Sequence, residues 1–294
     1  MWTMKNGLLI TLAVVSVWFI AAWWGMARRA KEAGKHDGEK PETLYHSIVG
    51  FVMCFLDTLG IGNFATTTSA FKFRSTVPDE KIPGTLNVGY ALPTILQAFI
   101  YISIVEVDVW TLISLIIASV AGAWIGAGVV AGWSRRNVQI GMGAALLVAA
   151  ALFSLKALNV GPPEGSALEL RGLLLPAGLI GNFALGALMT LGIGLYGPCL
   201  IMISLLGMNP KAAFPIMMGS CAFLMPIGGV RFIRAGSYSM KAAVIMTLSG
   251  LPAVWIAAKL VTWLPRAYMF WLVVIVVVYA AVMMLRSAAQ EAKK

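Results

Sequence analysis

Two short motifs in this chain interrupt an apolar run with a glycine pair: Leu59-Gly60-Ile61-Gly62-Asn63 and Leu191-Gly192-Ile193-Gly194-Leu195. The first is followed by Thr66, Thr67, Thr68 and Ser69, the second by Tyr196, Pro198 and Cys199, all but the proline able to donate hydrogen bonds. In both, a proline stands sixteen residues after the second glycine (Pro78, Pro210) and another five further on (Pro83, Pro215). Glycine lets the backbone leave a helix. The helix that restarts, near residues 63–65 and 196–198, opens on N–H groups with no partner inside the helix and with a partial positive charge. That arrangement binds anions. Pro198 suits such a start, because a first-turn proline gives up no helix bond.

A break also bares the carbonyl end of the preceding half-helix, which suits a cation, so side chains have to decide. From residue 170 to 290 there is no Asp or Glu, and the only acid inside an apolar segment is Asp57. Cation sites recruit carboxylates; these breaks carry neutral donors. The candidate substrate contacts are Gly60, Gly62, Asn63, Thr66 and Thr67 at the first break and Gly192, Gly194, Tyr196 and Cys199 at the second. The helices after Pro83 and Pro215 add Asn87 and Ser220, beside Thr85 and Cys221. Asn87, about a turn into its helix, is either a ligand contact or an interhelical hydrogen bond. For any one of these residues the competing reading is close helix packing through small and hydroxyl side chains; the duplication of the set favours a site. Asp57, just ahead of the first break, is a costly group in a membrane and a candidate proton carrier. Its alternatives are to cap the second half-helix or to pair with Lys72 or Arg74. Its counterpart in the second motif is Met189, so its role is asymmetric. His46 is expected at the interface and not as a ligand.

These motifs sit in a chain of 294 residues, 60% hydrophobic and 12% charged, with a mean hydropathy of +0.86. A soluble domain carries about 25% charged residues, and the apolar runs here are of helix-spanning length without the period-2 alternation of a barrel. The composition is that of an integral membrane protein built from helices. The net charge of +10 is scattered between spans and forms no basic domain for nucleic acid. Cys54, Cys199 and Cys221 lie within apolar segments without metal or disulfide spacing, and read as core residues. No second acid, base or metal cluster accompanies them, which leaves thiol chemistry in a membrane-embedded enzyme poorly supported. Gly192 to Gly197 satisfies G-x-G-x-x-G, but no strand pattern precedes it and no acid follows.

Apolar segments fall near 44–72, 82–105, 110–133, 138–158, 172–207, 213–230, 241–262 and 266–286, after a first helix over 1–27 that has no cleavage-site pattern and is expected to be retained. The segments 44–72 and 172–207 are too long for one crossing and too short for two. Read as broken, re-entrant hairpins, they leave sixteen Lys and Arg residues on one face and six on the other, the asymmetry expected of cytoplasmic loops. Each half then has an odd number of crossings, which makes the halves oppositely oriented. The expected fold is therefore an all-α polytopic membrane protein: an N-terminal transmembrane helix (1–27), a cytoplasmic loop (28–43), repeat one (44–158), an extracytoplasmic loop (159–171), an inverted repeat two (172–286) and a cytoplasmic tail (287–294). The N-terminus is expected outside. Broken helices meeting near the midplane are the usual substrate site of such transporters.

At "FLDTLGIGNF", "MTLGIGLYGP" and "PGTLNVGYALP", and in the duplicated four-segment layout, the sequence resembles the TauE/SafE family, exporters of sulfite and organosulfonates. The resemblance spans roughly 44–286. It implies small sulfur-containing anions moved outward, driven by an ion gradient. The sequence departs from the family's usual run of further glycines and a proline after Gly-Ile-Gly, continuing with Asn63-Phe64-Ala65 and with Leu195-Tyr196-Gly197-Pro198; these bulkier groups point toward a larger or different anion. No ATP-binding motif is present, so movement is passive or gradient-driven, by a secondary transporter or, as the nearest rival, an anion channel. Expected partners are a small anion, lipid, a coupling H+ or Na+ and a second copy in a homodimer; no metal, cofactor or nucleic acid is expected.

Overall fold

A computed structural model describes residues 4–32, 42–126, 165–189, 194–263 and 266–291, with scattered positions between 136 and 154. The described residues are helical apart from turns and one isolated bridge between Ala167 and Met208. In chain order the helices are α1 (Met4–Glu32), α2 (Thr43–Thr58), α3 (Phe64–Arg74), α4 (Ile82–Gly89), α5 (Ala91–Ile104), α6 (Val109–Ala121), α7 (Leu174–Met189), α8 (Tyr196–Leu205), α9 (Ala213–Ala235), α10 (Met240–Trp263) and α11 (Arg266–Glu291). Four stretches among the described residues, Met4–Arg29, Asp79–Ile104, Pro210–Ala235 and Met240–Leu260, are long and apolar enough to cross a bilayer. α1 runs past Arg28 and Arg29 to Glu32, into the segment expected to be loop. The span expected over 138–158 lies mostly outside the described residues.

The outer surface carries Val14 and Val17 on α1, Ile117 on α6, Ile180 on α7 and Trp255 on α10, all exposed. In water so extensive an apolar face would aggregate; in lipid it is the solvated face. The chain is a multi-pass membrane protein.

Both over-long apolar segments are interrupted as expected. α2 stops at a Schellman turn: Gly60, at φ +96°, donates its N–H to Asp57 O (2.8 Å) while Ile61 donates to Leu56 O (3.1 Å). Left-handed backbone is what glycine supplies at this position. The chain then reverses through Gly62 (φ +79°) into α3. Its two ends meet, since Arg74 lies 3.4 Å from Glu42 and the Tyr45 hydroxyl donates to Ala70 O at 2.7 Å. The second segment likewise returns on itself. Asp108 donates its backbone N–H to Leu168 O (2.8 Å) and Asn209 to Ala167 O (2.9 Å), so the start of α7 and the end of α8 both lie beside the N-terminus of α6. The first mouth sits at the start of α4, where Lys72 reaches Asp79 at 3.7 Å. The second sits beyond the end of α5. Between them runs Asp79–Ile104, 26 residues and roughly 39 Å of helix.

α2 packs along α10, α7 packs along α6, and α5 and α9 pack against each other between them. Small residues permit the close approach, as in other lipid-embedded interfaces. A Cβ on Gly186 would lie 2.0 Å from Ser119 O, and one on Gly50 would lie 2.8 Å from Met246 Cα. Pro93 leaves Gly89 O without its helical donor, α4 gives way to α5 at Tyr90, and the Thr247 hydroxyl of α10 donates to that carbonyl at 2.7 Å.

Candidate functional site

The two breaks face each other in the centre of the bundle. Gly62, Phe64, Gly194 and Tyr196 line two small cavities, one on either side of them. The first, about 20 Å³, is completed by Asp57, Asn63, Thr94, Met189, Leu195, Cys221 and Met225. The second, about 30 Å³, is completed by Ile61, Ala65, Thr66, Gly197 and Pro198, with Tyr279, Met283 and Met284 from α11. A water needs roughly 10–15 Å³ of such space, so each holds one or two waters and neither holds a tetrahedral anion. This conformation is closed.

The carbonyl end of α2 is fully occupied. Cys54 O accepts from the Thr58 hydroxyl (2.7 Å), Phe55 O from Leu59 N–H (3.4 Å), and Thr58 O from the Tyr101 hydroxyl (2.9 Å). Leu56 and Asp57 are taken up by the Schellman turn. What the break presents to the cavity is therefore the N–H end of α3. Asn63, at the N-cap position, does not cap α3 with its side chain. It is 3% exposed, and its carboxamide Nδ2 has no hydrogen-bond partner. A buried amide left unpaired costs about 1–3 kcal/mol, and here it belongs to a residue of the cavity wall.

Gln97, in mid-α5, ties the breaks together. Its Nε2 donates to Asp57 Oδ2 (2.9 Å) and to Thr58 Oγ1 (3.0 Å), and its Oε1 accepts from the Tyr196 hydroxyl (2.8 Å). Asp57 also accepts from the backbone N–H of Asn63. It thus caps α3, one of its two expected alternatives, and it does not pair with Lys72 or Arg74, which reach Asp79 and Glu42 instead.

The expected site residues divide. Gly62, Asn63, Gly194 and Tyr196 line the first cavity with Asp57, and Thr66 lines the second. Gly60 shapes the turn from behind, against Phe214 and Met217. Thr67 is buried and shares a hydrogen bond with the Tyr90 hydroxyl (2.7 Å). Asn87 does not line either cavity; its Nδ2 donates to Pro83 O at 2.8 Å within its own helix. Cys199 and Ser220 also lie off the cavities, held by Asn182, whose Oδ1 is 3.7 Å from Cys199 Sγ and whose Nδ2 donates to Ser220 Oγ (3.1 Å) and Leu115 O (2.7 Å). Gly192 lies outside the described residues. His46, expected at the interface, is buried against Phe71. Gln97, Thr94 and Asn182 are not among the residues expected from the motifs. The available signal was an uncharged polar side chain deep in an apolar run, "LPTILQAFIY" and "LIGNFAL".

The family model for the sulfite exporter TauE/SafE matches residues 2–153, more than half of the chain. The chain belongs to the TauE/SafE sulfite exporter family. The match takes in α1, the first break and Gln97, and ends before the second break. No curated protein and no solved structure matches the chain. TauE/SafE is a family of transporters, and membership makes this a transmembrane protein of the sulfite-exporter type.

Proposed function

We propose that this chain exports a small sulfur-containing anion, sulfite or a sulfonate, across the cytoplasmic membrane by alternating access. The halves 44–158 and 172–286 act as an inverted repeat, with the N-terminus outside and the C-terminus cytoplasmic. The reading is supported by hairpin mouths at opposite ends of the bundle and by reciprocal packing of α2 on α10 and α7 on α6. The observation that carries the anion is the first break: every carbonyl at the end of α2 is taken, whereas the Asn63 carboxamide is unpaired beside the start of α3. The substrate contacts are Gly62, Asn63, Thr66, Gly194 and Tyr196, and Asp57 carries a coupling proton. The closed cavities on both sides favour a transporter over an open anion channel.

The test is thermal unfolding of the purified protein with sulfite, thiosulfate, sulfate, sulfonates or carboxylates, with and without Na+. A ligand of the native state present at a hundred times its Kd stabilises by about 2.7 kcal/mol, a clear rise in Tm. Stabilisation by one or more sulfur oxyanions, independent of Na+, is expected. Stabilisation by Na+ alone would contradict the reading.

A further inference from the structure

The Asp57 carboxyl already occupies donors that the proposed substrate needs. It takes the Asn63 backbone N–H at the start of α3 and one N–H of the Gln97 carboxamide, and it lines the same cavity as the unpaired Asn63 side chain. It is 2% exposed. The other titratable side chains near it are the thiols of Cys54 and Cys221 and the phenols of Tyr90 and Tyr196, none of them basic. The cations on the surrounding elements are remote: Lys72 and Arg74 on α3, Arg231 and Arg234 on α9, Lys241 and Lys259 on α10 and Arg286 on α11 are exposed toward the helix ends. His46 is roughly three turns earlier on α2, and α7 and α8 carry no acid or base other than Tyr196 and Cys199. Among the described residues, no fixed positive side chain is therefore present to hold two anions side by side. Two unit charges about 4 Å apart repel by about 4 kcal/mol at an effective dielectric of 20, which would cancel most of the binding energy of a weakly held ion.

We propose that Asp57 is the site's resident anion, and that a substrate anion binds only as a proton neutralises Asp57. The inference rests on the anion site proposed above and adds its coupling rule. Protonation turns the carboxylate into a hydroxyl donor and frees the Asn63 N–H and one Gln97 N–H for the incoming oxyanion. Gln97 is the positioning residue of this exchange, since its other amide atom accepts from Tyr196 on the opposite break. Anion and proton then travel together. For a monovalent sulfonate the pair moves no net charge, and export runs whenever the outward anion gradient exceeds the inward proton gradient.

The test is calorimetric titration of methanesulfonate and of sulfate into wild-type protein and Asp57→Asn. Both probes stay ionised between about pH 5.5 and 8.5, whereas sulfite takes up a proton in that range and would confuse the count. Repeating the titration in buffers of different ionisation enthalpy gives the protons taken up per anion. In the wild type that number should approach one at the alkaline end, with affinity falling about tenfold per pH unit. Asp57→Asn should bind at every pH with no proton uptake. Equal pH dependence in the two proteins, or wild-type binding without proton uptake, overturns the coupling rule and leaves the anion site standing. Failure of any anion, sulfite included, to bind the wild type overturns the site itself. Should Asp57→Asn not fold, the wild-type proton count decides alone.

Discussion

At the scale of single residues, the buried polar clusters around Gln97 and around Asn182 have different consequences. Gln97 bridges Asp57, Thr58 and Tyr196 across the two breaks, whereas Asn182 joins α7 to Leu115 of α6 and Ser220 of α9, away from both cavities. Each leaves buried partners unsatisfied if removed, so Gln97→Leu and Asn182→Leu should both lower stability by about 1–3 kcal/mol. Only Gln97→Leu should also cut anion flux tenfold or more at a temperature where both variants stay folded. Equal loss of flux in the two would deny Gln97 a place in the site. The place of Asp57 and Asn63 beside the first break was legible in the sequence, because they flank Gly60 and Gly62 directly. Gln97 was not, because its partners lie 40 and 99 residues away in the chain and only the fold brings them together. Asn87 and Ser220 show the converse: their spacing resembled a second ring of contacts, and local backbone and interhelical bonds occupy them instead.

At the scale of elements, glycine serves two separate ends. At Gly62 there is room, the nearest atom to an added Cβ being Tyr196 Cβ at 3.9 Å, but φ is +79°. At Gly186 the conformation is helical, but the Cβ would meet Ser119 O at 2.0 Å. Gly62→Ala should cost about 1–2 kcal/mol through backbone strain alone and reduce anion binding by misdirecting the start of α3. Gly186→Ala should push α7 off α6 and lower Tm by more than Gly62→Ala does. Thermal unfolding of the two variants checks the order. The breaks were readable because Gly-Ile-Gly in a segment of the wrong length for a span has an identifiable physical cause. The Schellman turn that uses up the α2 carbonyls was not, although it is the feature that favours anion over cation. Its bonds depend on φ at Gly60, which composition does not specify.

At the scale of the whole molecule, Lys and Arg placement and segment lengths sufficed for an all-helical membrane bundle with two self-returning hairpins. The packing of α2 on α10 and α7 on α6 depends on which small residues meet, and periodicity alone did not contain it. Ser75, just after α3, and Lys211, just beyond α8, lie at the mouths of the two hairpins and are exposed. The native cysteines are all buried, so Ser75→Cys and Lys211→Cys can be labelled singly in intact cells. An impermeant maleimide should reach Lys211→Cys and not Ser75→Cys; labelling of both from outside would contradict the inverted arrangement. The most direct test of the central claim, that two facing breaks form one anion site, is efflux of labelled sulfite and of a labelled sulfonate from proteoliposomes containing wild-type protein or Asn63→Leu. The account predicts saturable efflux of at least one of them by the wild type, reduced tenfold or more in Asn63→Leu while its Tm is kept. Efflux equal in the two proteins, or carried only by a cation, would contradict it.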